Sequence, residues 1–252
     1  MIYGVTIDRT DRFSHQLKSL SLLPKRPTVR FVFDPGIRAE EYLYFCKQLK
    51  PIADIMGQFV DSESIKTYTF AKYQERVIEY VTVLKDYVDI WECGNEVNGD
   101  WCGYPYQVWQ KVVGAIQEVK KRGKRAAVTY YYDLEPPENK QFEMFNWITE
   151  HPLKPDLALI SVYENWYPGV VLDFKKLFTR FLLEFPDAEI GFGEFGPQPR
   201  KFSQSKRAAM IERYHAFSFP SSNWIGGWFY WDFSVDCKSG TPTLNAMVKS
   251  WK

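Results

Sequence analysis

Eight short runs of apolar, β-branched and aromatic residues recur along the chain, near positions 2–8, 28–33, 52–60, 88–93, 125–132, 156–163, 188–194 and 224–231. Their brevity and composition predict buried strands. Between them the apolar period changes. From Phe70 to Val81 apolar residues fall three and four apart, which marks one face of an amphipathic helix; Tyr106 to Val119 and Leu172 to Leu183 repeat the spacing. Gly123 is placed to end one of these helices, and Pro186 closely follows another. A turn-like stretch, Lys238 to Pro242, leads into a short final helix.

Strand and helix patterns alternate through all 252 residues, and no Pro/Gly-rich linker divides them. Such alternation implies a parallel sheet covered by helices. Eight units in a chain of this length fit a closed (β/α)8 TIM barrel better than an open sheet. The expectation is a single α/β domain over residues 1–252. Active sites of that fold lie at the C-terminal ends of the strands, so the residues closing each strand are the ones to inspect for chemistry.

Two acidic signatures fall at such ends: Gly94-Asn95-Glu96 after strand 4 and Gly193-Glu194-Phe195-Gly196 at strand 7. A pair of carboxyls brought together is the minimum apparatus for cleaving a glycosidic bond: one protonates the leaving oxygen while the other attacks the sugar carbon. Glu96 as the acid would need a raised pKa, from burial or a neighbouring carboxylate. The competing reading of Glu96 is a surface residue in a turn rich in Asn and Gly. Around Glu194, the glycines permit unusual backbone angles and close approach of a ligand.

Gly191, Gly193 and Gly196 also match the spacing GxGxxG after a strand. That fingerprint requires a helix to start within the motif, so that its amides cradle pyrophosphate. Here Pro197 and Pro199 follow, and Glu194 would set a negative charge beside the phosphates. Dinucleotide binding is rejected.

The Asn-Glu at strand 4 and the Glu at strand 7 resemble glycoside hydrolase clan A, the retaining glycosidases built on (β/α)8 barrels. The resemblance spans nearly the whole chain in element order, although its specific part is a few short motifs. It implies Glu96 as general acid/base, Glu194 as nucleophile, and Asn95 as a hydrogen-bond partner of the sugar hydroxyl beside the reacting carbon. By the same resemblance Tyr163, ending strand 6, would orient the nucleophile, and Arg30 in strand 2 would contact it. The alternative for Arg30 is an internal ion pair with Glu92 or Asp34. Trp231, closing strand 8, resembles the tryptophan that floors the clan's sugar site. Phe229 and Trp231 share one face of that strand and Trp228 and Tyr230 the other, and which face is inward stays open.

Further strand ends offer substrate contacts: Asp8, Asp61, and Tyr132 with Asp133. Trp101, Trp166 and Tyr167 sit in loops where rings could stack on neighbouring sugars. The chain holds 9 Trp, 16 Tyr and 19 Phe, 17% of its residues, and core packing accounts for most of them, so only rings at loop ends are candidates for sugar contact.

Charge and cysteine usage narrow the classes further. A net charge of +1 does not make a broad nucleic-acid surface. The densest basic run, Lys120 to Arg125, closes a predicted helix, where cations suit the negative end of the dipole. No apolar run approaches the roughly 20 residues that span a membrane. The chain enters its first strand without the regions of a signal peptide, as a trimmed secreted protein also would, so compartment stays open. Cys46, Cys93, Cys102 and Cys237 lack metal-binding spacing and read as thiols, with a Cys93–Cys102 bridge left open. His15, His151 and His215 are scattered, and neither metal nor cofactor is expected.

The expectation is therefore a retaining glycoside hydrolase acting on a β-linked oligosaccharide or polysaccharide, the β-linkage coming from the resemblance alone. With little room for added loops, an open groove and internal cleavage are expected. A non-catalytic carbohydrate-binding barrel would not need both Glu96 and Glu194. An aldolase or isomerase barrel would usually show a strand-end Lys or a glycine-rich phosphate loop after strands 7 and 8.

Overall fold

The computed structural model describes residues 1–135, 137–163, 171–197 and 202–252. Eight strands run β1 (Ile2–Ile7), β2 (Thr28–Val32), β3 (Asp54–Gln58), β4 (Ile90–Gly94), β5 (Arg125–Tyr131), β6 (Leu157–Val162), β7 (Glu189–Phe195) and β8 (Trp224–Tyr230). All pair in parallel, each with its successor, and β8 returns to β1 to close the barrel. The described helices are α1 (Phe13–Leu20), α2 (Leu43–Leu49), α3 (Phe70–Val83), α4 (Pro105–Lys121), α5 (Met144–Glu150), α6 (Phe174–Glu184), α7 (Gln204–Ala216), α8 (Phe233–Asp236) and α9 (Pro242–Ser250). The expected (β/α)8 barrel is the observed one.

Helix ends follow local chemistry. Thr69, Asp173, Ser203 and Thr241 precede α3, α6, α7 and α9, and each side chain accepts a hydrogen bond from a first-turn amide that the helix itself leaves unpaired. Gly123 takes φ +69° just past α4, a left-handed angle that costs glycine little. Among the described residues no helix is long and apolar enough to cross a membrane.

Two apolar regions build the core. The larger lies between strands and helices and takes most of the aromatic rings, including Trp91 stacked on Phe59 and Phe195 stacked on Tyr214. The smaller joins Met56, Ile90, Ala127, Leu157, Leu159, Ile225 and Phe229 inside the barrel. Phe229 is therefore inward and Trp228, in the outer core, is outward, which settles the face of β8 left open by its sequence. Next along the strands the interior turns polar: Arg30, Gln58, Glu92, Thr129 and Ser161 are all buried. Register sets this layer beside the apolar one, since Met56 pairs with Ile90 and Gln58 with Glu92.

Candidate active site

An open cleft of about 390 Å³ is lined by Asp61, Ser62, Glu63, Glu96, Trp101, Tyr131, Tyr163, Glu194 and Trp231. These residues end or follow β3, β4, β5, β6, β7 and β8, so the cleft occupies the C-terminal face of the barrel.

An irregularity in β7 aims Glu194 into it. Ile160 pairs with Phe192 and Ser161 with Glu194, which leaves Gly193 as an extra residue. Phe192 and Phe195 both pack in the outer core. Gly193 lies inside: a Cβ there would meet Thr129 Oγ1 at 2.6 Å and Leu159 Cβ at 2.7 Å. Strict alternation would have turned Glu194 outward with Phe192. The bulge instead keeps two consecutive residues, Gly193 and Glu194, on the inner side, a usual role of bulges at barrel rims.

Glu194 is then held from two sides. Arg30 donates through Nη2 to one carboxylate oxygen, and the Tyr163 hydroxyl donates to the other. Arg30 Nη1 donates to the Gly193 carbonyl at 3.1 Å and lies 3.7 Å from Glu92 Oε1. Both alternatives weighed for Arg30 thus partly coexist: it faces Glu194 and Glu92 together. Asp34 is engaged elsewhere, accepting from the Tyr42 hydroxyl at 2.9 Å. Burial opposes the Arg30 charge, but the carboxylates of Glu194 and Glu92 outweigh it and raise the guanidinium pKa. Burial also raises Tyr163 well above the usual phenol range, with the Glu194 and Glu96 charges adding to it.

Glu96 sits on a left-handed turn, at φ +49°. Such an angle costs a residue with a side chain of order 1–3 kcal/mol and persists only where surroundings impose it. Here the Val97 amide donates to the Thr129 carbonyl at 3.2 Å and the Gly99 amide to the Glu96 carbonyl at 2.7 Å. The carboxyl is 2.6 Å from Ser161 Oγ and 3.3 Å from Ser62 Oγ. Burial first, and then the Glu194 charge, raises its pKa well above the carboxylate range, while the Ser161 contact acts the other way. The surface-turn reading of Glu96 does not hold, since the residue is only 8% exposed.

Asn95 is buried, and its Oδ1 accepts no hydrogen bond among the described residues. It is not one of the side chains lining the cleft. Trp231 does line it, beside Tyr163 and Glu194. Asp133 is not brought to the cleft; its carboxylate accepts from the Glu135 amide at 3.2 Å, closing a turn. Trp166 and Tyr167 lie outside the described residues. Asp8 does not line the cleft, whereas Asp61 and Trp101 do. All four cysteines are free thiols, so the bridge left open between Cys93 and Cys102 does not form.

No protein-family model matches the chain, and no curated protein matches it. Solved structures do. The fold is similar to that of Saccharomyces cerevisiae Gas2p. The complex of that protein with laminaripentaose superposes with TM-score 0.63 at 13% identity, covering 99% of this chain and 64% of the other. A complex with a small compound gives 0.64 at 15% identity with the same coverage. A Glu-to-Gln variant of Gas2p bound to laminaritetraose and laminaripentaose gives 0.61 at 14%, covering 99% and 63%. This chain therefore spans just under two thirds of the Gas2p chains it matches, and at these identities the likeness is one of fold.

Sequence reasoning passed over Ser62, Glu63, Tyr131 and Ser161. Two of them carried a usable signal. Ser161 is two residues before Tyr163 and so shares its inward face on β6, and Tyr131 shares the face of Thr129 on β5. The residue chosen instead, Tyr132, lines a separate cavity with Phe145, Leu172 and Arg180.

Proposed function

We propose that this chain is a retaining glycoside hydrolase cleaving a β-linked glycan, with residues 1–252 forming one catalytic domain. The observation that carries the reading is a single cleft holding two buried carboxyls in opposite settings. Glu194 faces a cation and a phenol, while burial and the charge of Glu194 raise the pKa of Glu96 well above the carboxylate range.

In the first step Glu194 attacks the anomeric carbon while Glu96 gives its proton to the departing oxygen. In the second, Glu96, now ionised, takes a proton from water, which displaces the sugar from Glu194 with net retention. Arg30 and Tyr163 position the nucleophile; Ser161 and Ser62 position the acid. Trp231 and Trp101 offer ring faces to the sugars, and Asn95 supplies an amide beside Glu96. Neither a metal nor a cofactor has a part in these steps.

The fold likeness directs the choice of substrate class. Gas2p is solved with laminari-oligosaccharides, β-1,3-linked glucose chains, so these are the first substrates to test. The cleft is open to solvent at the C-terminal face of the barrel, which suits internal cleavage. The deciding experiment incubates the protein with laminarin, other β-glucans, xylan, mannan and a set of aryl β-glycosides, and records product sizes and anomeric configuration. Initial products of β configuration from one of these support the reading; α-anomeric initial products, or no turnover of any, overturn it.

A further inference from the structure

A second cavity, of about 340 Å³, lies outside the cleft and is lined by α1 and by the segment running out of α8. Its wall carries Arg12, His15, Lys18 and Lys238 and, among the lining residues, no acid. The nearby carboxylates are spent elsewhere. Asp236 accepts from Arg207 and from the Tyr230 hydroxyl, and Asp232 caps α8 by accepting from the Val235 amide. Among the described residues Asp11 pairs with Arg12 alone, at 3.8 Å on the exposed side. Among the described residues Lys18 and Lys238 have no ion-pair partner. A basic wall of this kind stands out in a chain whose cations and anions nearly balance.

Two buried polar atoms lining the same cavity, Gln16 Oε1 and Ser234 Oγ, have no hydrogen-bond partner among the described residues. Gln16 is 3% exposed and donates through Nε2 to the Arg9 carbonyl at 3.0 Å, which fixes the amide orientation and leaves Oε1 as an unused acceptor. Ser234 is 8% exposed, and its Oγ makes no hydrogen bond among the described residues. Leaving such groups buried and unpaired costs of order 1–3 kcal/mol each, which a ligand's hydroxyls would recover. Cys237 also lines the cavity, but burial holds its thiol well above the ordinary range, so it offers no nucleophile.

We infer that this cavity binds a monosaccharide unit carrying an anionic group, a carboxylate or a phosphate, at a site separate from the catalytic cleft. Lys18, Lys238 and Arg12 would meet the anion at the mouth. Gln16 Oε1 would accept from a sugar hydroxyl, and Ser234 Oγ would donate to or accept from another. The volume stands at the lower end of small-molecule sites, about 300–1,000 Å³, which suits one sugar ring rather than a chain.

The test follows the ring signals of His15 by NMR, in a chain with only three histidines. Glucose 6-phosphate and glucuronate are titrated in separate arms, with glucose and inorganic phosphate as controls. A saturable shift of His15 with at least one of the acidic sugars, tighter than with either control, is expected; the arm that responds identifies the anion. Lys18→Gln with Lys238→Gln should weaken it about tenfold or more for each lost cation. Ser234→Ala leaves the net charge alone and should weaken it about three- to tenfold. No shift with either acidic sugar overturns the inference, as does a shift unchanged in both variants. Equal affinity for inorganic phosphate and glucose 6-phosphate overturns the sugar half of it. Near-UV circular dichroism confirms that each variant is folded.

Discussion

Arg30 on β2 reaches through the barrel interior to Glu194 on β7, and the same guanidinium stands 3.7 Å from the fully buried Glu92 on β4. One cation therefore serves two carboxylates, only one of which lines the cleft. The proposed nucleophile is coupled to the polar layer of the barrel, and its setting depends on residues a substrate never touches.

Removing that cation should change the pH profile before it changes substrate binding. Arg30→Met leaves Glu194 without a counter-charge, so the acidic limb of kcat/KM should move to higher pH. Because breaking a buried pair costs about 3–5 kcal/mol, Arg30→Lys serves as the folded companion that keeps the charge. An acidic limb unmoved in a folded Arg30→Met protein would leave Arg30 as a structural ion only.

Glu92 should impose a pH dependence on stability. Burial, partly offset by Arg30 and Thr129, pushes its pKa up to about 7 from 4.5. With the folded value raised, the unfolded chain ionises first. The stability Glu92 contributes is then fully present below about pH 4.5 and is lost as pH rises through about 7, a total of about 3 kcal/mol. Urea denaturation across that range should show the difference between wild type and Glu92→Gln changing by about that amount. Parallel curves would mean that Glu92 ionises at the same pH in the folded and the unfolded chain.

The two glutamates separate by leaving group. Glu194→Ala should lose turnover with every substrate, because no nucleophile remains to form the glycosyl-enzyme. Glu96→Ala should still react with an activated aryl glycoside, whose leaving group departs unprotonated, and then stall for want of a base. Azide needs no base and should restore that turnover, giving a glycosyl azide of retained configuration. An inverted azide from Glu96→Ala would exchange the two assignments.

Gly193→Ala tests the bulge. A methyl group there would sit 2.7 Å from Leu159 Cβ and 2.6 Å from Thr129 Oγ1, and β6 cannot retreat without disturbing the closed sheet. A loss of about 1–3 kcal/mol is expected, with kcat falling further than stability alone would explain, because Glu194 is the next residue. Unchanged thermal unfolding would show that the interior has slack at this layer.

The eight strands were legible because each is a short apolar run between helical periods, and strand ends then directed attention to Glu96, Glu194, Tyr163 and Trp231. What could not be read was the departure from alternation. Nothing in Gly193-Glu194 states that both residues face inward, and nothing in Asn95-Glu96 states that a glutamate takes a left-handed angle. Both depend on pairing with neighbouring strands. Ser62 and Ser161 reach Glu96 only through the closure of the barrel. Asp133 was chosen as a strand-end acid, but β5 ends at Tyr131, and two further residues carry the chain into a turn.

The four thiols give the molecule a built-in clock. Cys46, Cys93, Cys102 and Cys237 are at most 2% exposed, and burial raises every one of their pKa values. A thiol reagent in the medium can label them only when the chain opens. They sit on α2, on β4, in the loop after β4 and just past α8, so their labelling times compare breathing in separate sectors of the barrel. If the loop carrying Cys102 reacts before Cys93 on the strand beneath it, the active-site wall moves while the barrel stays shut.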